Sequence, residues 1–181
     1  MRLFKLIIIA IIIGSAYLFA KQHSENPQVS ETPQNWQTVS ITSGVTIQFP
    51  RPPISKSFQQ NIPSLGKVKL TTYQTAYEDK IFILLWAPEL TTEIKQRTPD
   101  NLQEAIHAFN DTTNLRISNK QTFVLQSHRG IEYKATRQNG NEIWCRTIIK
   151  GNQLFSIIYT SSSSESKLGL GDTFFESLRM Q

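Results

Sequence analysis

Beyond residue 36, apolar side chains recur mostly at every second position, the period of strands with one covered face. Residues 36–41 and 45–49 alternate around Thr42-Ser43-Gly44 and predict a β-hairpin with Val45, Ile47 and Phe49 on one face. Pro50-Arg51-Pro52-Pro53 is expected to stop the sheet, because proline cannot donate to a ladder. The chain should then wander through Ser64-Leu65-Gly66 before residues 67–76, where Val68 and Leu70 face one way and Lys67 and Lys69 the other. Glu78-Asp79-Lys80 turns into IFILLWA, residues 81–87, an apolar run without alternation. Such a run predicts a central strand covered on both faces, ended here by Pro88.

The period then changes. Thr98 as N-cap, Pro99 at the first helical position, and Leu102, Ala105, Ile106 and Phe109 on one face predict a helix ending near Asp111. Strand character resumes over residues 114–126, and Ser127-His128-Arg129-Gly130 reads as a turn. Three strands follow. Ile131, Tyr133 and Ala135 line one face of the first, and Gln138-Asn139-Gly140-Asn141 turns it. In the second, Ile143, Cys145, Thr147 and Ile149 oppose Trp144 and Ile148. After the tight turn Gly151-Asn152, Phe155, Ile157 and Tyr159 alternate with Leu154, Ser156 and Ile158. Residues 160–167 read as a loop, and Asp172 is expected to cap a short C-terminal helix with Phe174, Phe175 and Leu178 as its apolar side. These elements predict an α+β fold: an antiparallel β-sheet sandwiched by the mid-chain helix and the short C-terminal helix, preceded by one N-terminal transmembrane segment.

That segment is LIIIAIIIGSAYLFA, which opens at Leu6 and closes at Ala20, with Arg2 and Lys5 before it and Lys21 after it. A bilayer core needs roughly 17 to 25 apolar residues, so the run just crosses if Leu3 and Phe4 are counted and Lys5 snorkels to the headgroups. The competing reading is a cleaved secretory signal, with Gly14-Ser15-Ala16 as a tolerable cleavage site. No cysteine lies near the junction, which excludes a lipoprotein anchor. The flanking charges favour an N-terminus in the cytoplasm, and both readings deliver the remainder to the periplasm or exterior. Residues 21–35, KQHSENPQVSETPQN, are too polar to offset the entropy of ordering and read as a tether. The organisation is therefore 1–20 anchor or signal, 21–35 tether, and 36–181 a single domain.

Charge changes the picture little once it is located. The chain carries nineteen basic and fourteen acidic residues, a net +5. Arg2, Lys5 and Lys21 are three of the nineteen, so residues 22–181 carry sixteen against fourteen, or +2. The basic residues are scattered rather than striped, which argues against nucleic acid as a partner. Cys145 is alone, cannot form an internal disulfide, and is expected to be buried on its strand.

The order of elements and three short stretches resemble the PsbP-like family. They are Val45-Thr46-Ile47-Gln48-Phe49-Pro50 followed by Pro53, Gly151-Asn152-Gln153-Leu154-Phe155, and Phe174-Phe175-Glu176-Ser177-Leu178. Leu178 stands where an aromatic is more usual. The resemblance implies a small extracytoplasmic or lumenal domain with an accessory role and without catalytic machinery, and it places no site residue here.

Ser164-Glu165-Ser166-Lys167 spells S-x-x-K, but the S-D-N and K-T-G elements that make such a serine reactive are missing. Gly169-Leu170-Gly171 lacks a third glycine and a feeding strand for phosphate binding. Cys145 would need a histidine beside it to act as a nucleophile. His23, His107 and His128 fall in the tether, on a helix and in a turn, with no second ligand at metal-binding spacing. Glu78-Asp79 is ordinary turn chemistry, and Asn110-Asp111-Thr112 is a glycosylation sequon. Trp86, Trp144, Tyr73 and Tyr133 fit either core packing or the walls of a groove. No catalytic, cofactor-binding or metal-binding residue is assigned, and no cofactor is expected. The expectation is a membrane-tethered, extracytoplasmic, non-enzymatic accessory or protein-binding domain. The alternatives are a small-molecule or lipid carrier or sensor with an apolar pocket and, more remotely, a hydrolase.

Overall fold

The computed structural model describes residues 35–62, 66–89, 116–136, 140–161 and 169–181. Short turns set its topology. Strands β1 (Gln37–Thr42) and β2 (Val45–Phe49) meet at Ser43-Gly44, where Gly44 adopts φ +74°. Strands β3 (Ile54–Ile62), β4 (Gly66–Tyr77) and β5 (Lys80–Ala87) follow as a meander. Strands β6 (Arg116–Leu125), β7 (His128–Thr136), β8 (Glu142–Lys150) and β9 (Gln153–Ser161) form a second meander. Helix α1 (Leu170–Glu176) and the two-residue strand β10 (Arg179–Met180) complete the described chain.

The strands assemble into two antiparallel sheets. One has the order β1-β2-β10, and the other has seven strands in the order β3-β4-β5-β9-β8-β7-β6. The β5·β9 pairing, from Lys80↔Ser161 to Ala87↔Leu154, joins the two meanders. Gly151-Asn152 connects β8 to β9 with positive φ, +62°, only at the glycine, the pattern of a type II′ hairpin turn that matches strand twist.

The main core lies where the smaller sheet and α1 cover one face of the larger sheet. Val45, Ile47 and Phe49 of β2 face Phe82 and Leu84 of β5, Trp144 and Ile148 of β8, and Phe155, Ile157 and Tyr159 of β9. Helix α1 inserts Phe174 and Phe175, both with no exposed surface. Aromatic rings fill the space, with Phe82 5.2 Å from Phe174 and 5.3 Å from Tyr159, and Phe49 5.2 Å from Phe174. Each such ring contributes roughly 1.5–3 kcal/mol by burial alone. The opposite face of the large sheet carries a second cluster of Val68, Leu70, Ile83, Leu85 and Ala87. Residues 81–87 are therefore apolar on both faces, although β9 and not β5 takes the middle of the sheet.

The α+β sandwich expected from the pattern is not what forms. Among the described residues, strands dominate and the helix is a single one of 7 residues. The physical reason is that a second sheet, β1-β2-β10, shares with the short C-terminal helix the covering of the main core face. Strand β3 is the largest departure. Proline stops β2 at Pro50, but the chain re-enters a sheet at Ile54, and an edge strand needs few apolar residues to do so. The β6–β7 turn also sits earlier than expected, at Gln126-Ser127 with φ of +47° and +72°, so that His128 to Gly130 belong to β7. Asp172 does not cap α1; it lies in the first turn, and Gly169 is the N-cap. The helix expected near residues 98–111 and the apolar run 6–20 expected to span a membrane lie outside the described residues. Among the described residues, no helix is long and apolar enough to cross a membrane.

Candidate functional site

The register of β7 on β8 decides which charged groups meet. Glu132 pairs with Arg146 and Lys134 with Trp144, so these four side chains share the face turned toward the main core. The Arg146 guanidinium bonds the Glu132 carboxylate and lies over two rings, 5.4 Å from Phe123 and 5.0 Å from Phe175. Gln121 of β6 donates to the other Glu132 oxygen at 3.1 Å. Lys134 bonds Glu142 and sits 5.5 Å above Trp144, whose other neighbour is Tyr159 at 5.4 Å. Arginine over aromatic faces gains from the ring quadrupole as well as from its carboxylate.

A bulge opens the surface beside this ladder. The β6–β7 register slips between Ser118 and Gln121, and Asn119 takes a left-handed φ of +51°. The slip leaves a depression of about 350 Å³ lined by Asn119, Lys120, Gln121, Glu132, Tyr133, Lys134 and Trp144. Its walls are amides and paired charges, with the indole in its lining. Such a surface presents hydrogen-bond donors and acceptors to a polar partner.

The two remaining titratable groups of this region point the other way. Cys145 is buried opposite Tyr133 on the far face of the sheet, 3.7 Å from the Thr147 hydroxyl. Burial pushes the thiol above its usual range, against hydrogen bonds from Tyr133 and Thr147 that pull it down. Tyr133 is raised well above the ordinary tyrosine value, chiefly by burial and secondarily by the thiol. A raised thiol is poorly ionised at neutral pH and unreactive.

His128 starts β7, five positions before Tyr133, and at about 3.4 Å per residue it lies well beyond hydrogen-bond reach of Cys145. His23 and His107 lie outside the described residues, as do Asn110-Asp111-Thr112, Ser164 and Lys167. Gly171 is buried, and a Cβ there would come 2.9 Å from the Tyr159 ring; the glycine permits close packing of α1 on β9. Glu78 and Asp79 make a turn in which Lys80 reaches both carboxylates, at 3.5 and 2.9 Å, and Ser161 donates to Asp79 at 3.2 Å. The four aromatic candidates do not line one groove. Tyr73 and Trp86 pack on the main core, whereas Trp144 and Tyr133 both border the depression, Tyr133 from the strand position paired with Cys145. Among the described residues, no group of three or more His, Cys, Asp or Glu is arranged to hold a metal ion.

Sequence reasoning missed the Glu132–Arg146 and Lys134–Glu142 pairs. The signal was the turn after residue 136, but a turn placed one residue off exchanges the two faces of a strand. The Asn119 bulge left no pattern at all in the alternation of β6.

Among the described residues, the geometry is that of two antiparallel sheets with a short helix locked into the seam. That arrangement is a PsbP-like fold. The chain is similar to the solution structure of cyanobacterial PsbP (CyanoP) from Synechocystis sp. PCC 6803, with a TM-score of 0.55 and 12% identity over 88% of this chain and 99% of that one. At this identity the likeness establishes the fold alone. A Pseudomonas aeruginosa protein of unknown function, described as a putative regulator, aligns with a TM-score of 0.28 and 8% identity over 71% of this chain and 84% of that one, too distant to carry an argument. A scan against family models and a search of curated proteins find no match.

The three stretches that carried the resemblance converge in space. Phe49 of the first touches Phe174 of the third, and Phe155 of the second lies in the same buried cluster.

Proposed function

We propose that residues 36–181 form a non-enzymatic accessory domain that binds a protein partner on the non-cytoplasmic side of a membrane. Residues 1–20 bring it there, and residues 21–35 give it reach. The observation that supports this reading most is the PsbP-like fold, which the chain matches over nearly the whole of the cyanobacterial domain. The uncharged apolar run from Leu6 to Ala20, with Arg2 and Lys5 before it, supports the compartment. The depression beside the Asn119 bulge is the proposed contact surface, because its amides and partly exposed ion pairs suit a polar protein rim better than an apolar ligand.

Two measurements test the proposal. A reporter fused after Gln181 should be active only outside the cytoplasm; activity in the cytosol overturns the compartment. A photo-crosslinker placed at Gln121 or Lys120 in intact cells should yield one discrete adduct that is lost when the same group is placed at Lys69 on another strand. Equal labelling from all three positions overturns the assigned surface.

A further inference from the structure

We propose that the outer edge of β3 pairs with β3 of a second copy of this chain, antiparallel and centred on Phe58, and so joins two seven-stranded sheets into one. Edge strands present unpaired N–H and C=O groups, and proteins usually blunt them with bulges, proline or brevity. Among the described strands, three of the four edges are blunted in this way. Strand β6 is bulged at Asn119, β1 is irregular between Ser40 and Thr42, and β10 has two residues. Strand β3 is different. It keeps an unbroken register with β4 from Ile54↔Gln74 to Ile62↔Gly66 and contains no proline. Ile54, Ser55, Lys56, Ser57 and Gln59 are all exposed, and Ile54, at 52%, is one of two large apolar residues left in solvent among those described.

The strand itself names its occupant. It reads ISKSFQQNI, with apolar residues at both ends and the centre and polar residues between, a pattern nearly the same in either direction. Turned about Phe58, it sets Ile54 opposite Ile62, Ser55 opposite Asn61, Lys56 opposite Gln60 and Ser57 opposite Gln59. The strand carries one charge, Lys56, so no like charges are set at facing positions. Phe58 packs half-buried against the Val68 and Leu70 cluster, so the junction carries that apolar layer across from one copy to the other. A two-fold pairing of this kind is isologous and closes at two copies. Pairing of β3 with β6 of a neighbour would build an open chain, and the bulge at Asn119 opposes it.

Sedimentation equilibrium of the full chain in mild detergent tests the pairing. The wild type should be a dimer. Ser57→Glu combined with Gln59→Glu puts carboxylates opposite each other twice across the junction and should weaken association by about tenfold or more. Ser57→Lys combined with Gln59→Glu sets opposite charges across the same positions and should restore the dimer. Both residues are exposed, but the Ser57 hydroxyl bonds the Thr71 hydroxyl at 2.8 Å; the two variants lose that bond alike, so the circular dichroism of each should match the wild type and they are compared with each other in association. A monomeric wild type, a dimer indifferent to the two carboxylates, failure of the charge-swapped variant to recover, or growth into open oligomers each overturns the proposal.

Discussion

The backbone N–H of Gln48 donates to the Ser177 hydroxyl oxygen at 3.0 Å, joining positions 129 apart in the chain. That hydroxyl in turn donates to the Phe174 carbonyl at 2.7 Å, so one serine closes the end of α1 and ties it to β2. Directly beneath, the rings of Phe49 and Phe174 lie 5.2 Å apart. The seam between the small sheet and the helix is thus held by one polar link laid over an aromatic one.

Removing either link should separate their contributions. Phe174→Ala, which empties a fully buried ring site, is expected to cost about 3–5 kcal/mol in urea unfolding. Ser177→Ala leaves the Gln48 N–H without its partner and should cost about 1–3 kcal/mol. An unchanged urea midpoint for Ser177→Ala would show that the link carries no net stability.

Gly130 pairs with Phe123 across the β6–β7 ladder, and a Cβ there would come 2.7 Å from the Phe123 ring and 2.7 Å from the Thr147 carbonyl oxygen. The ring can move and the backbone carbonyl cannot. Gly130→Ala is expected to destabilise by about 1–3 kcal/mol, and adding Phe123→Leu should recover only part of the loss. Full recovery in thermal melts would mean that the ring alone sets the constraint.

Glu132 and Arg146 are mostly shielded from solvent, with 16% and 21% of their side-chain surface exposed. A double-mutant cycle of Glu132→Gln and Arg146→Met should give a coupling of about 1–3 kcal/mol, above the value for an exposed pair. Because the guanidinium also lies over Phe123 and Phe175, Arg146→Met should cost more than Glu132→Gln. Equal single-variant losses with no coupling would place this ladder among ordinary surface charges.

Burial raises both the Cys145 thiol and the Tyr133 phenol, and the sign of the pH effect follows. Between the unfolded thiol value, about 8.5, and the higher folded value, the unfolded chain binds fewer protons than the native one, so stability falls as pH rises. Stability should therefore be level from this source at neutral pH and decline above about pH 8.5, with tyrosine adding to the slope above about pH 10. Cys145→Ala should flatten the first part of that decline. Native protein should resist iodoacetamide at pH 8 and react once unfolded; rapid native labelling would contradict a sealed thiol.

Much of the seven-stranded sheet could be read from alternation alone. Residues 81–87 are apolar on both faces because β5 has a cluster on either side, and the opposed sets Trp144 and Ile148 against Ile143 and Ile149 follow directly from the pleat of β8. Strand β3 could not be read, because an edge strand is mostly solvated and Ile54 and Phe58 stand four apart among polar residues. The depression at β6–β8 was equally hidden. A local bulge at Asn119 and a register fixed through a turn bring Gln121, Glu132 and Arg146 together, and neither has a periodic signature.

What the sequence by itself determined is which side of each strand is apolar, since the two-residue period of the backbone turns composition directly into faces. Which face meets which partner was decided only in three dimensions. Gln48 and Ser177, or Glu132 and Arg146, become neighbours through sheet order and register, and those are settled by how all the apolar faces close on one another at once.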